Sequence, residues 1–312
     1  MDSHWQLEAA ATFSRRQFLG TLPAFIAPPS LSASLSSQPV LDLHQHTNYL
    51  GRTNQQLVAH QAYHRVTTTV LLPGAGWMLS ELGDNASCAA LEADYPDRFV
   101  RFACCDAAES RTPDVLGGNL RRGAIGIGEM KFHVAVDSPE MHRVYRLAQE
   151  LGVPLLIHFE HENYNTGFER FEDILKAYPK VSFIGHAQTW WGNISADLDP
   201  RVMYPPGRVK PGGLTDRLLT DYANMHGDLS AGSGLNALTR DPEFARDFVA
   251  RHSRKLIWGS DCPCRDGKGV GYAAGYCIAE RSLAVLGKLT SDETALRRIL
   301  YDNGARLLRL KV

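Results

Sequence analysis

The chain has 312 residues, 44% of them hydrophobic and 21% charged, enough to bury a sizeable core and close to the usual size of a single α/β barrel. Its 33 basic and 34 acidic residues leave a formal net charge of -1, which excludes a global field that recruits nucleic acid or an anionic membrane and favours a small, neutral or modestly charged substrate. Six irregularly spaced cysteines are too few for a disulfide scaffold in a chain of this length, and Cys104, Cys105 and Cys262 lie in or beside predicted strands, where buried thiols fill space.

Residues 1–35 read as an export address and linker. Ser14-Arg15-Arg16-Gln17-Phe18-Leu19 resembles the bacterial twin-arginine motif, and the apolar stretch from Gly20 to Ala27, interrupted by Pro23, is too short to span a bilayer. Ser30 to Ser37 is a small-residue region that contains the expected cleavage point. The expectation is a periplasmic protein carried by the twin-arginine export machinery, a route for folded proteins that often load a cofactor first, with no stable membrane insertion of the mature chain.

From residue 36 to 312 strand-like apolar runs alternate with segments of helical period, as in βα units around a parallel sheet. Eight strands are expected, near Val40 to Leu43, Thr67 to Leu72, Phe99 to Cys104, Ala124 to Gly128, Pro154 to Ile157, Val181 to Ile184, Met225 to Leu229 and Leu256 to Gly259. Ser138-Pro139 opens a helix that Gly152 closes, Asp241-Pro242 opens another, and Thr290 with Glu293 offers a capping box for a last helix running to about Leu310. The pattern predicts one (β/α)8 TIM barrel. An open doubly wound sheet should show a glycine-rich phosphate fingerprint after its first strand, and His44-Gln-His46 stands there instead.

Polar residues close several of these runs. His44 and His46 end Val40-Leu-Asp-Leu-His-Gln-His46, where strand alternation points both imidazoles to one side, within reach of one metal ion. Glu129, His158, His186 and Asp261 close the runs of strands four, five, six and eight. In a barrel these ends share one face, so the six side chains surround one volume. His4, His60, His64, His142 and His252 are assigned ordinary structural roles. The segment from Ala187 to about Gly213 is longer than a connection requires, and it carries Trp190, Trp191, Tyr204, Arg208 and Lys210. It is expected to overhang the site, with Trp190 and Trp191 touching substrate or pinning the loop to the rim. Arg265 or Arg208 would receive an acidic group, and His133 is a further substrate contact to test.

On Asp-Leu-His-Gln-His46, Gly-Ile-Gly-Glu129, Leu-Ile-His158, Ile-Gly-His186, Gly-Ser-Asp261 and the closing Ile-Leu-Tyr-Asp-Asn303-Gly-Ala-Arg-Leu-Leu308, the chain resembles the amidohydrolase superfamily, in its amidohydrolase-2 branch of TIM-barrel metal-dependent hydrolases. The resemblance runs from Val40 to Val312. It implies that His44, His46 and Asp261 hold one divalent ion, that His158 and His186 hold a second, and that Glu129 bridges them. The Gly-Glu129 pair is also similar to that of TatD-like deoxyribonucleases, while many relatives carry a carbamylated lysine on strand four, a part open to Lys131. Zn2+ suits the donors first, then Mn2+, Fe2+ or Ni2+. The implied activity is hydrolysis of a small-molecule amide, ester, lactone or phosphoester by a metal-bound hydroxide, with Asp261 and His186 in proton transfer. The main alternative is a one-metal decarboxylase of an aromatic carboxylic acid. Such relatives bind the ion through the strand-one pair, the strand-five histidine and the strand-eight aspartate, and the strand-six histidine moves a proton. An export protein that binds metal without catalysis fits less well, because it leaves the full donor set unexplained. A nuclease fits poorly with a chain that is neutral overall.

Overall fold

The alternating apolar runs become eight short parallel strands in the computed structural model, which describes residues 38–272 and 274–310. They are β1 (Leu41–Gln45), β2 (Thr68–Leu71), β3 (Phe99–Arg101), β4 (Ile127–Met130), β5 (Leu155–His158), β6 (Phe183–His186), β7 (Met225–Asp228) and β8 (Leu256–Ile257). Strands β1 to β3 and β4 to β8 pair in chain order. The bridge between Ala103 and Ile127 joins the two sets, and Leu43 N–H donating to Trp258 C=O at 3.1 Å joins β8 to β1. Every expected strand is present, and the ring closes as a TIM barrel. The segment expected to be an export signal, residues 1–35, lies outside the described residues. No helix among the described residues is long and apolar enough to cross a membrane.

The barrel is sealed by its own last segment. Leu41, Leu43, Val70, Leu72, Phe102, Leu156, Ile184 and Ile257 form one buried cluster with Tyr301, Ala305 and Leu308. Asn303, in the closing motif, donates from its side-chain amide to Ser253 C=O and Leu256 C=O, both at 2.8 Å, and so anchors the start of β8. A Cβ on Gly304 would come within 2.8 Å of Leu41, so close packing of this segment on β1 requires glycine there.

Two helix starts follow the sequence. Ser138 caps the helix Pro139–Leu151 by accepting from Met141 N–H, with Gly152 at φ 63° after it, and Asp241 caps the helix Pro242–His252 through Phe244 N–H. The last helix departs from expectation. Asp292, rather than Thr290, is its cap and accepts from Thr294 N–H at 2.9 Å, while Thr290 Oγ1 accepts from Asp292 N–H and shapes the preceding turn. That helix runs as Glu293–Arg297, a widened turn Arg298–Asp302 and a final Asn303–Leu307.

The helices Leu214–Asp221 and Pro242–His252 are joined by charge. Asp216 accepts from His252 Nε2 at 2.6 Å and from Arg251 at 2.5 and 3.1 Å. Burial resists ionisation of this carboxyl, but His252 and Arg251 outweigh it and hold it down at about 2, against 3.8 for a free aspartate. The stabilisation is therefore complete above pH 3.8 and is lost as the pH falls from there to about 2. Asp216→Asn is expected to lower stability at neutral pH and to flatten the acid limb of a urea-unfolding series over that window; an unchanged acid limb would refute the linkage.

Candidate active site

The strand ends deliver a group of inward-facing donors. His44 Nε2 lies 3.1 Å from His46 Nε2. Around this pair stand Glu129 Oε2, 3.6 Å from His44 and 3.8 Å from His46, and Asp261 Oδ1, 3.8 and 3.5 Å from the same two atoms. His186 Nε2 completes the ring, 3.6 Å from Glu129 Oε1 and 3.8 Å from Asp261 Oδ2. Strand β1 reaches this geometry although its register breaks between Asp42 and Gln45.

Outer partners dictate which nitrogen points inward. His44 Nδ1 donates to Asp228 Oδ2 at 2.7 Å and His46 Nδ1 to Leu72 C=O at 2.7 Å. Ser230 Oγ donates to Asp228 Oδ2 at 2.7 Å, which leaves it to accept from His186 Nδ1 at 3.0 Å. Each Nδ1 is thus committed as a donor, and the three Nε2 atoms face the centre, the arrangement that second-layer carboxylates and carbonyls impose on metal-binding histidines. Asp228 and Ser230 therefore matter more than their sequence suggested, since both look like ordinary strand-end residues.

The charges agree. Burial opposes ionisation of Glu129, yet His158 and His44 hold its carboxyl well below the usual range; Asp261, also buried, is lowered by His44, His46 and His186. Burial also opposes protonation of His44, but Asp261 and Asp228 raise it well above the ordinary histidine value, whereas His186 is pushed down by burial and by His44. Two imidazole lone pairs cannot face each other at 3.1 Å without a cation between them. A divalent ion fits that place. Asp261 Oδ1 is buried without a hydrogen-bond partner, as expected of an oxygen reserved for a ligand.

His158 is placed differently. Its Nδ1 meets Glu129 Oε1 at 2.5 Å and its Nε2 meets Glu160 Oε2 at 3.0 Å, so both nitrogens are engaged by carboxylates. Asn163 fixes Glu160 at 2.8 Å, and Asn165 ties the backbone of His158 to Met130. Five of the six expected donors converge, and the sixth stands one carboxylate away.

Backbone constraint holds the ends in place. Asp261 sits at φ 45°, with its N–H donating to His44 C=O at 2.9 Å. A Cβ on Gly259 would come within 2.6 Å of Asp228 Oδ1, and one on Gly128 within 2.8 Å of Leu156 C=O, so both approaches require glycine. Arg52, fully buried, donates to the carbonyls of His46, Cys262 and Cys264, and so ties the end of β1 to the segment after β8.

Above the donors a cleft is lined by His46, Tyr49, Trp77, Lys131, His158 and Asp261, among others. Lys131 Nζ lies over the rings of Trp77 and Tyr164, at 5.1 and 5.3 Å from their centroids, outside the donor group, and those two rings stack at 5.1 Å. Tyr49 packs edge-on to His46 at 5.0 Å, and burial together with Asp261 and Glu129 raises its hydroxyl well above the usual range. From the long segment, Tyr204 is not among the residues lining the cleft; burial, with a smaller contribution from the Asp261 charge, raises its hydroxyl.

Trp190 and Trp191 do not reach the cleft. Both are buried, in a short helix Ala187–Gly192. Trp190 packs among Phe159 and Phe168 and over Gly185, and Trp191 donates to Asp228 C=O at 2.9 Å. They support the strand ends from behind, so the expected substrate contact is corrected to a positioning role. Arg265 lines a separate surface depression with Thr53, Tyr63 and Lys268, Arg208 is exposed beside Glu243, and His133 is exposed and bonded to Asn163 C=O, so none of the three lines the cleft. The residues that do line it, Tyr49 and Trp77, belong to connections with no strand-end signal.

Solved structures share this fold. A probable 2-pyrone-4,6-dicarboxylic acid hydrolase from Acinetobacter baumannii, with citric acid bound, matches with a TM-score of 0.59 at 16% identity, over 88% of this chain and 100% of that one. A 5-carboxyvanillate decarboxylase from Sphingomonas paucimobilis matches at 0.57 and 12%, over 88% and 100%. A dihydroxybenzoic acid decarboxylase from a Polaromonas species, with bound manganese and the inhibitor 2-nitroresorcinol, matches at 0.53 and 11%, over 88% and 97%. A search of curated proteins finds no match. The amidohydrolase family model matches residues 50–310, nearly the whole barrel, and the chain belongs to that family.

Proposed function

We propose that the protein is a metal-dependent hydrolase of a small carboxylated ring compound and that it works with one divalent ion, Zn2+ or Mn2+. The observation that carries the reading is a pair of donor trios that share His44, one with Glu129 and His186 and one with His46 and Asp261, with Asp261 Oδ1 unpartnered. Support for one ion instead of two comes from His158, whose nitrogens both go to carboxylates. Mixed imidazole and carboxylate donors suit either metal.

A divalent ion bound there supplies Lewis-acid polarisation of the scissile group and activation of water. The chain's own residues do the rest. Asp228 keeps the protons of His44 and His186 on their outer nitrogens, and Asp261, with one carboxylate oxygen held for the ion, is placed to take a proton from the attacking water on the other and return it to the leaving group. Lys131 supplies a cation at the cleft for a carboxylate, and Trp77 and Tyr49 offer flat walls for a ring. The dicarboxylate and carboxyvanillate in the names of the structural neighbours fit the same description.

Decarboxylation is the second reading. It is favoured by His158, held by hydrogen bonds between Glu129 and Glu160 on the cleft wall, a placement suited to delivering a proton to a ring carbon. The test is mass spectrometry of products from the metal-loaded protein in 18O-water, offered carboxylated lactones, esters, amides and hydroxybenzoic acids. Label in a new carboxylate supports hydrolysis. Release of carbon dioxide with solvent hydrogen on the ring replaces it with the second reading. Lys131→Met is expected to raise KM for a carboxylated substrate about 10- to 100-fold with kcat little changed, the signature of lost ground-state binding to a charged group. An unchanged KM would remove Lys131 from substrate recognition.

A further inference from the structure

Behind the active-site loop lies a second cluster of ligating side chains. His60, from the helix Asn54–Tyr63, and Cys262, Cys264 and Cys277, from the segment after β8, are all fully buried, and their side-chain ligand atoms lie within 4.8 Å of one another. Cys262 Sγ is 3.7 Å from Cys277 Sγ, and Cys277 Sγ is 3.4 Å from His60 Nε2. A zinc ion bound tetrahedrally at about 2.3 Å to sulfur and about 2.0 Å to nitrogen separates its ligands by about 3.8 Å between sulfurs and about 3.5 Å between sulfur and nitrogen. The Cys262–Cys277 and Cys277–His60 edges already have these lengths.

Three further features prepare it for a cation. Gln61 donates from its amide nitrogen to Asp42 and Thr69, so its Oε1 must accept, and His60 Nδ1, 2.9 Å away, is the donor. His60 Nε2 is therefore a lone pair aimed at Cys277, the tautomer a metal needs. Cys264 Sγ accepts Gly269 N–H at 3.0 Å and gives its own hydrogen to Asp266 Oδ1 at 3.4 Å, a bond that ligation would replace, and His64 Nε2 stands 3.2 Å from Cys277 Sγ, so two of the sulfurs already sit among polar partners. Arg52, buried against the same segment, gives its hydrogen bonds among the described residues to neutral acceptors, the carbonyls of His46, Cys262 and Cys264 and the side chain of Gln45. A buried guanidinium without a carboxylate is costly. Three thiolates, one neutral imidazole and a divalent ion carry a net charge of -1, which Arg52 offsets.

We infer that His60, Cys262, Cys264 and Cys277 form a closed, structural Cys3His zinc site, separate from the catalytic donors. On binding, the three thiols release their protons to solvent and the sulfurs ligate the ion. The site staples the segment that begins at Asp261 to the helix carrying His60, and it sets the catalytic aspartate through its neighbour Cys262. All four positions are filled by protein side chains, so the ion there takes no part in turnover.

Cobalt substitution reads this site apart from the catalytic one, because only thiolate ligands give an intense sulfur-to-cobalt charge-transfer band in the near ultraviolet. The full chain, purified reduced and metal-free, is titrated with Co2+ and then Zn2+. A saturable band at one equivalent, bleached by Zn2+, is expected in the unaltered protein and in a His44→Ala/His46→Ala variant. It should weaken in Cys264→Ser and be lost in Cys277→Ser. The unaltered protein decides the matter even where a cysteine variant fails to fold: absence of the band overturns the site, as does intact-mass and thiol counting that finds Cys262 joined by a disulfide to Cys264 or Cys277 in the protein as isolated. Failure of the hydrolase reading would leave the band unchanged.

Discussion

Asp261→Asn is expected to lower kcat/KM by about 10²- to 10⁴-fold, the range supplied by a positioned proton acceptor. The substitution keeps the shape of the side chain, and asparagine tolerates the left-handed backbone found at this position, φ 45°, so the fold should survive. What is lost is the negative charge that faces His44, His46 and His186 at 3.5 to 3.8 Å, and the free oxygen Oδ1. Turnover measured beside a thermal melt checks both halves of the claim. A variant with unaltered melting and near-normal turnover would move proton transfer away from Asp261.

Asp228→Ala should be nearly as damaging, although this residue never touches substrate. Its buried carboxylate accepts from His44 Nδ1 at 2.7 Å, from Ser230 Oγ at 2.7 Å and from Ser230 N–H at 3.1 Å, and lies 3.2 Å from His186 Nδ1. Burial resists its ionisation, but His44 and His186 pull its carboxyl well below the ordinary aspartate value. Removing it frees two imidazoles to change tautomer or rotate. Loss of such an outer carboxylate costs about 10- to 100-fold in metal affinity. Breaking a buried charge pair by deleting one partner costs about 3–5 kcal/mol of stability. Metal titration and urea unfolding measure the two effects independently. An unchanged metal affinity would show that His44 and His186 do not ligate through the nitrogens assigned here.

These two residues mark how far the sequence could be read. Asp261 closes an apolar run at Gly-Ser-Asp261, and a carboxylate there demands a partner, so its place beside His44 and His46 was legible before any coordinates. Asp228 also closes a run, in Met225-His-Gly-Asp228, yet a strand-end aspartate ordinarily bonds its own backbone, and its commitment to His44 spans 184 positions of chain. Nothing local encodes that distance. Packing, not chain distance, decides the two tryptophans. Aromatic residues in a long connection suit a binding surface and a buried anchor equally, and the bare Gly185 beneath Trp190 selects the anchor. His60 was assigned an ordinary structural role because one histidine on a helix carries no sign of three cysteines more than 200 positions away.

The barrel, the order of its eight strands and the line of polar residues at their ends were determined by sequence alone, because strand periodicity and turn chemistry act over a few residues and a parallel ring leaves its strand ends on one face. Only the tertiary structure decided which nitrogen of each histidine faces inward, that His158 turns to Glu129 and Glu160, and that Tyr49, Trp77 and Lys131 line the cleft. Those outcomes depend on hydrogen bonds and packing between segments far apart in the chain, where the partner of a side chain is chosen by the closed ring and not by its sequence neighbours.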